Sequence, residues 1–462
     1  MDELCRMCVC DLADVIRSKR ASAREVVTAH LQQIETVNPT VNAITVVLAD
    51  EALAAATRLD EQHAVRGEVC GPLHGVPFTV KENIDVAGSA TTEGVTALAG
   101  YIPASDAPHI AQARAAGGIP IARTNLPDFG LRWHTDNALR GATLNPWNRS
   151  RTPGGSSGGD AVAVATGMTP LGMANDLGGS LRVPSQFNGT VALKPSYGRI
   201  ALRRTTSPFE LPMTFQLWMV EGLMARRVRD LRLAYGVVCG PDKRDPFWTP
   251  APLYGSSPDR PVPVAVVRDP GGLGVDSTVA AGLQRAADAL ADGGYDVVDA
   301  EPPVMDAYRL WCSLIVADIR LMWPGMRPLI SAGAQRFTEA IFEIVPAGDP
   351  AAYATGLANR LGIARAWSEF QESRPLILGP VCTEQPFLVG RDVGSVDDVK
   401  AIVDSMRMTV AVNNMGLPAV AVPVGVMEGL PQGVQLIGPK YREDLCLDAA
   451  EAIEARLGQV RL

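Results

Sequence analysis

Lysine and histidine are scarce in this chain. Of its 42 Lys and Arg residues only Lys19, Lys81, Lys194, Lys243, Lys400 and Lys440 are lysines, and its five histidines are His30, His63, His74, His109 and His134. No histidine follows residue 134, so a serine beyond that point cannot be served by a later Asp and His in the α/β-hydrolase order. No serine stands three residues before a lysine, which excludes the Ser-x-x-Lys arrangement. Basic residues form no block, and 50 acidic residues give a formal net charge of -8. That balance argues against nucleic acid or an anionic membrane as the main partner. No apolar run approaches the length of a membrane span. The opening segment MDELCRMCVC has no basic region ahead of an apolar stretch, so no secretory leader is expected. The eight cysteines show no framework spacing and are expected to be reduced thiols of a cytoplasmic protein. Cys5, Cys8 and Cys10 lack the further ligands a zinc site needs and are expected to pack as small apolar residues on a terminal helix. No G-x-x-x-x-G-K-[ST] occurs and no G-x-G-x-x-G follows a strand. Neither a metal nor a cofactor is expected.

What the sequence does have is an ordinary globular balance over 462 residues, 47% hydrophobic and 20% charged. Helical periodicity covers 10–37, with Ser22 placed to cap a second helix, and continues over about 48–65. HGVPFTVKENIDV reads as a strand entering a polar turn, 104–117 as a helix and IPIARTN as a strand. A helix is expected at 158–167 inside a Gly/Ser-rich stretch. PVPVAVVRD, the helix 277–293 and YDVVDAE form a strand–helix–strand unit. Residues 305–373 read as mainly helical, and the end of the chain as strand, strand and helix. The alternation predicts an α/β fold: one large domain whose central, mostly mixed sheet is covered on both faces by helices. Its expected segments are N-terminal helices (1–65), a catalytic core (66–240), a strand–helix unit with a variable helical region (241–380), and C-terminal strands and helix completing the sheet (381–462).

The densest chemical signal is TPGGSSGGDAVAVATGMTPLGMANDLGGSLRVP, residues 152–184. It holds two Gly-Gly-Ser clusters, ending at Ser156 and Ser180. Glycines beside a serine permit backbone conformations closed to other residues. Successive free N–H groups at such turns can converge on one oxygen. Tight turns alone would explain either cluster; two of them flanking a helix weaken that reading without removing it. With the α/β-hydrolase order excluded, a serine could instead be activated by a lysine whose amine is held neutral by burial, although a lysine at a strand end is usually solvated. Lys81, ending an apolar strand, is the first candidate, and Lys194 in ALKPSYG the other.

GVPFTVKENIDV, PGGSSGGDAVAVATG and NDLGGSLRVPSQFNGTVALKPSYGRI, together with TNLPDFG, LPAVAVPVG and GLPQGVQLIGP, resemble the amidase signature family over nearly the whole chain. The resemblance implies a Ser–Ser–Lys triad with Ser180 as nucleophile, Ser156 as bridging serine and Lys81 as base. It also implies a cis peptide bond at Gly155-Ser156 and an oxyanion hole of the backbone N–H groups of Leu177, Gly178, Gly179 and Ser180. Asp176 and Arg182 match the family's ion pair that holds the nucleophile loop. Gly155, Trp133 and His134 fall where substrate contacts are expected; of Trp311, Met322, Trp323 and Phe337, in the variable helical region, most are expected to be core and some to line an acyl pocket. Asn175 stands where Thr is common and Asn188 where Cys is common. The implied activity is hydrolysis of a small-molecule carboxamide through an acyl-enzyme, with a homodimer as the candidate assembly. The alternative is the glutamine-hydrolysing A subunit of a tRNA-dependent amidotransferase.

Overall fold

The computed structural model describes residues 1–66, 68–207, 209–256 and 261–462. Among the described residues eleven strands form one sheet: β1 (Ile44–Val47), β2 (Pro77–Lys81), β3 (Ile119–Thr124), β4 (Leu171–Asp176), β5 (Val191–Lys194), β6 (Val220–Ala225), β7 (Val262–Val266), β8 (Tyr295–Asp299), β9 (Leu376–Pro380), β10 (Ala419–Met427) and β11 (Leu430–Ile437). Their spatial order is β1-β3-β2-β4-β6-β5-β10-β11-β9-β7-β8. The β3-β2-β4 and β9-β7-β8 neighbours run parallel, while the pairs between β4 and β9 are antiparallel. The mixed sheet expected from the sequence is therefore present.

Burial follows position in the sheet. Every residue of β2, β3, β4, β5, β6, β9 and β11 is buried, because helices cover both faces. The outermost strands β1 and β8 are partly exposed. Each Val, Leu, Ile or Phe withdrawn from water in the interior strands contributes about 1.5–3 kcal/mol.

Helices form where the pattern placed them. Ala23–Val41 opens with a capping box: the Ser22 hydroxyl accepts from the Glu25 N–H at 3.1 Å, and Glu25 accepts from the Ser22 N–H at 2.8 Å. Gly158–Ala165 and Ser277–Asp292 lie within the expected ranges. Residues 305–373 are three helices, Val304–Met326, Ala332–Ile344 and Pro350–Ser373, with a short 3-10 turn between the first two. Cys5 is buried as expected, but Cys8, also buried, donates through Sγ to Asp11 Oδ2 at 3.1 Å and accepts from Arg229 Nη2 at 3.0 Å, and Cys10 is half-buried with Sγ donating to the Arg229 carbonyl, so apolar packing does not describe these two.

One part of the segmentation differs: residues 1–65 are not helices alone, since β1 lies among them and pairs with β3. β10 and β11 sit in the middle of the sheet, between β5 and β9, and so join its β1–β6 half to the β9-β7-β8 half.

Candidate active site

The glycines of the PGGSSGG segment are required by the space they pass through. A Cβ on Gly155 would lie 2.4 Å from the Arg132 carbonyl oxygen. On the second cluster Gly179 has φ of +96°, and a Cβ there would lie 2.3 Å from Thr409 Cγ2. The peptide between Gly155 and Ser156 is cis. The Ser157 N–H donates to the Ser180 carbonyl at 3.2 Å, so the two glycine-rich turns are tied to each other through the main chain.

Lys81, the last residue of β2, reaches into this junction. Its Nζ lies 2.7 Å from Ser156 Oγ and 2.9 Å from Asn175 Oδ1. The Asn175 amide is fixed by Asn83: Asn175 Nδ2 donates to Asn83 Oδ1 at 3.1 Å. Lys81 is fully buried. Burial brings its ammonium pKa down to about 8, helped by the Arg204 charge and opposed by Asp160, Glu221 and Glu93. An amine at that value is largely neutral at mildly alkaline pH and can accept a proton from the hydroxyl it touches.

The loop after β4 is held by Asp176. Its two carboxylate oxygens accept from Arg182 Nε at 3.0 Å and Nη2 at 3.1 Å, from the Gly179 N–H at 2.7 Å, the Leu181 N–H at 3.1 Å and Asn413 Nδ2 at 2.8 Å. Burial alone would raise this carboxyl, but the Arg182 charge and its hydrogen bonds overcome it and hold the group well below the usual carboxylate range. Of the four N–H groups expected to form an oxyanion hole, that of Gly179 donates to Asp176 in this structure. Among the described residues the N–H groups of Leu177, Gly178 and Ser180 have no hydrogen-bond partner.

Trp133 Nε1 donates to the Gly178 carbonyl at 2.8 Å, so this side chain braces the loop. Trp311 sits against the same glycine, where a Cβ would meet its Cζ2 at 2.9 Å. Trp311 stacks on Trp218 with ring centroids 6.1 Å apart, and Phe337 meets Trp133 edge-on at 6.2 Å. These four rings belong to one buried apolar cluster beside the loop after β4, with Met322 partly buried at its margin, whereas Trp323 packs against a separate cluster of Val95, Met326, Ile330 and Ala334. His134 is buried, with Nδ1 3.0 Å from Thr152 Oγ1, and burial lowers its pKa. It braces the loop ahead of Ser156. Asn188 does the same from the other side, donating to the carbonyls of Pro153 at 2.7 Å and Pro184 at 2.8 Å.

Reasoning from sequence passed over Asn83, Asp160, Trp218 and Glu221. The signal for two of them was an acidic residue inside an otherwise apolar run, GGDAVAVA and VEGLMA, since a buried carboxyl there needs a reason.

A mixed sheet with a buried lysine against a cis-linked serine, facing a second Gly-Gly-Ser turn, defines an amide hydrolase. The chain belongs to the amidase family, whose model matches residues 25–447. Its activity is hydrolysis of an amide C–N bond. It is 43% identical over 97% of its length, and 86% of the relative's, to an indoleacetamide hydrolase of Bradyrhizobium diazoefficiens. It is 31% identical over 99% of both chains to the A subunit of the glutamyl-tRNA(Gln) amidotransferase of Salinispora arenicola. A solved bacterial aryl acylamidase of the amidase signature enzymes superposes with a TM-score of 0.84 and 26% identity, over 97% of this chain and 96% of that one.

Proposed function

We propose that Ser180 is the nucleophile, Ser156 the proton bridge and Lys81 the base of a stand-alone amidase acting on primary arylacetamides. The observation that carries the roles is the 2.7 Å contact between the buried Lys81 amine and the Ser156 hydroxyl. Neutral Lys81 takes the Ser156 proton as Ser156 takes that of Ser180, and Ser180 Oγ attacks the amide carbon. The N–H groups of Leu177, Gly178 and Ser180 meet the oxyanion, each strong donor worth about 3–4 kcal/mol. The proton returns through Ser156 to the leaving nitrogen, ammonia departs, and water cleaves the acyl-enzyme by the same route. An aryl substituent is supported by the cluster of Trp133, Trp218, Trp311 and Phe337 beside Gly178 and by the 43% identity to an indoleacetamide hydrolase. The enzyme works in the cytoplasm, as a homodimer, without a metal; no helix among the described residues is long and apolar enough to cross a membrane.

Likeness at 31% to an amidotransferase component favours glutamine hydrolysis as the second reading. Ammonia release by the purified chain, measured over a panel of indoleacetamide, phenylacetamide, aliphatic amides and glutamine, separates the two. Turnover of arylacetamides that vanishes in Ser180→Ala is the expected result. Turnover of glutamine alone, and only once a partner protein is supplied, would replace this reading with the second.

A further inference from the structure

Asp160 is a charged residue without a visible task. It stands in the first turn of the helix Gly158–Ala165, four residues after Ser156. It is fully buried, and neither carboxyl oxygen makes a hydrogen bond of regular geometry, although the Thr124 hydroxyl at the end of β3 lies near enough to favour its charged form. Its side chain lies over Gly172 of β4, where a Cβ would come within 3.3 Å of Asp160 Oδ1. Gly172 is the partner of Thr79 on β2, two residues before Lys81. The carboxyl therefore sits beside the strand that carries the lysine.

Most neighbouring charges are already engaged; Glu221 is the exception, with Oε2 buried and without a hydrogen-bond partner. Glu93 pairs with Arg204 at 3.0 Å and Glu82 with Arg140 at 2.5 Å. Arg123 donates to main-chain carbonyls of Val80, Lys81, Ile84 and Ala90. Glu221 on β6 also faces Lys81, with Asp85 acting on it and the His109 imidazole 3.9 Å away. Burial drives that imidazole's pKa down to about 3, which leaves it neutral. Asp160 is the first among the charges acting on Lys81, and Lys81 the first among those acting on Asp160. Burial raises the Asp160 carboxyl and lowers the Lys81 ammonium, and each charge stabilises the other, so loss of one shifts the titration of its partner.

We propose that Asp160 is a positioning residue for the base, whose carboxyl, acting through charge across the packed helix–strand contact, sets the pH at which Lys81 becomes able to take a proton. The inference rests on Lys81 serving as base. An ionised Asp160 stabilises the ammonium and thereby delays the neutral amine to higher pH. It also offsets the positive charge that Lys81 acquires when Ser180 attacks.

The test is the rate at which a fluorophosphonate labels Ser180 from pH 5 to 10, which needs no turnover. In the unaltered protein labelling rises with pH. In Asp160→Asn, of the same shape and uncharged, the rising limb moves about one unit to lower pH, while Asp160→Glu keeps it near its original position. Thermal unfolding of each variant reports whether the fold survives, and Asp160→Ser is the second uncharged variant if Asp160→Asn does not fold. A limb that stays in place, or moves to higher pH, in whichever uncharged variant folds overturns the proposal. No labelling of the unaltered protein would instead overturn the assignment of Ser180 and Lys81.

Discussion

Lys81 and Lys194 are a pair that burial treats alike and chemistry does not. Each ends a strand of the same sheet, β2 and β5, and each is fully buried. Burial lowers both ammonium groups, Lys81 to about 8 and Lys194 to about 7. They differ in what the amine touches. Lys194 Nζ donates to two main-chain carbonyls, Leu417 at 2.7 Å and Pro195 at 2.9 Å. Lys81 Nζ touches one amide oxygen and one hydroxyl. A carbonyl has no proton to give; a hydroxyl has. Burial supplies a neutral amine in both places, and the Ser156 hydroxyl makes one of them useful. Lys194 instead fastens β5 to the segment ahead of β10.

The contrast can be broken at four points. The largest effect belongs to Lys81→Met, which lowers kcat/KM by about 10²–10⁴-fold, while Lys194→Met, assayed on folded protein, leaves it within a few-fold. Equal losses in steady-state assays would erase the distinction. Next comes Ser156→Ala, which leaves Lys81 facing only an oxygen without a proton, as Lys194 does. Its expected loss is about 10²–10³-fold, read from the same assay, and a near-normal rate would mean that Lys81 does not work through Ser156. The third is the pH profile. The active form of Lys81 is the neutral one, so kcat/KM rises through about pH 8, falling about tenfold per unit below that limb; a flat profile from pH 5 to 10 would remove the base. The smallest is stability. Lys194→Met leaves two buried carbonyls without a donor and costs about 1–3 kcal/mol in urea unfolding. The folded pKa of Lys194, about 7, lies below its ordinary 10.5. Between those values the unfolded chain binds the extra proton, so this lysine makes stability rise with pH. Lys194→Met should flatten that rise, and an unchanged slope would contradict the assignment.

The parts of this contrast that the sequence displayed are those written in local patterns. Ser22 with Glu25 spelled a helix start, and the strand, helix and strand from Val262 to Asp299 followed from alternation of apolar runs with a helical period. The two Gly-Gly-Ser clusters announced turns that only glycine can make. β1 escaped because four residues, Ile44–Val47, between two long helices carry too little period to separate from helix. β6 escaped because Glu221 interrupts its apolar run, and its place between β4 and β5 depends on residues far away in the chain. The loop after β4 was legible as a loop, but which of its N–H groups stay free depended on where the Asp176 carboxylate turned, and it turned to Gly179. Asp160 and Asn83 were unreadable for the same reason: their significance is a position relative to Lys81, set by the packing of a helix and a strand.

The hydrogen bond from the Ser157 amide to the Ser180 carbonyl makes the proton-handling turns a single mechanical part, anchored to the sheet, while the rings of Trp311 and Phe337 arrive on separate helices, Val304–Met326 and Ala332–Ile344. Because Trp311 packs on Gly178 and Phe337 on Trp133, a change in those rings is felt by the loop they support.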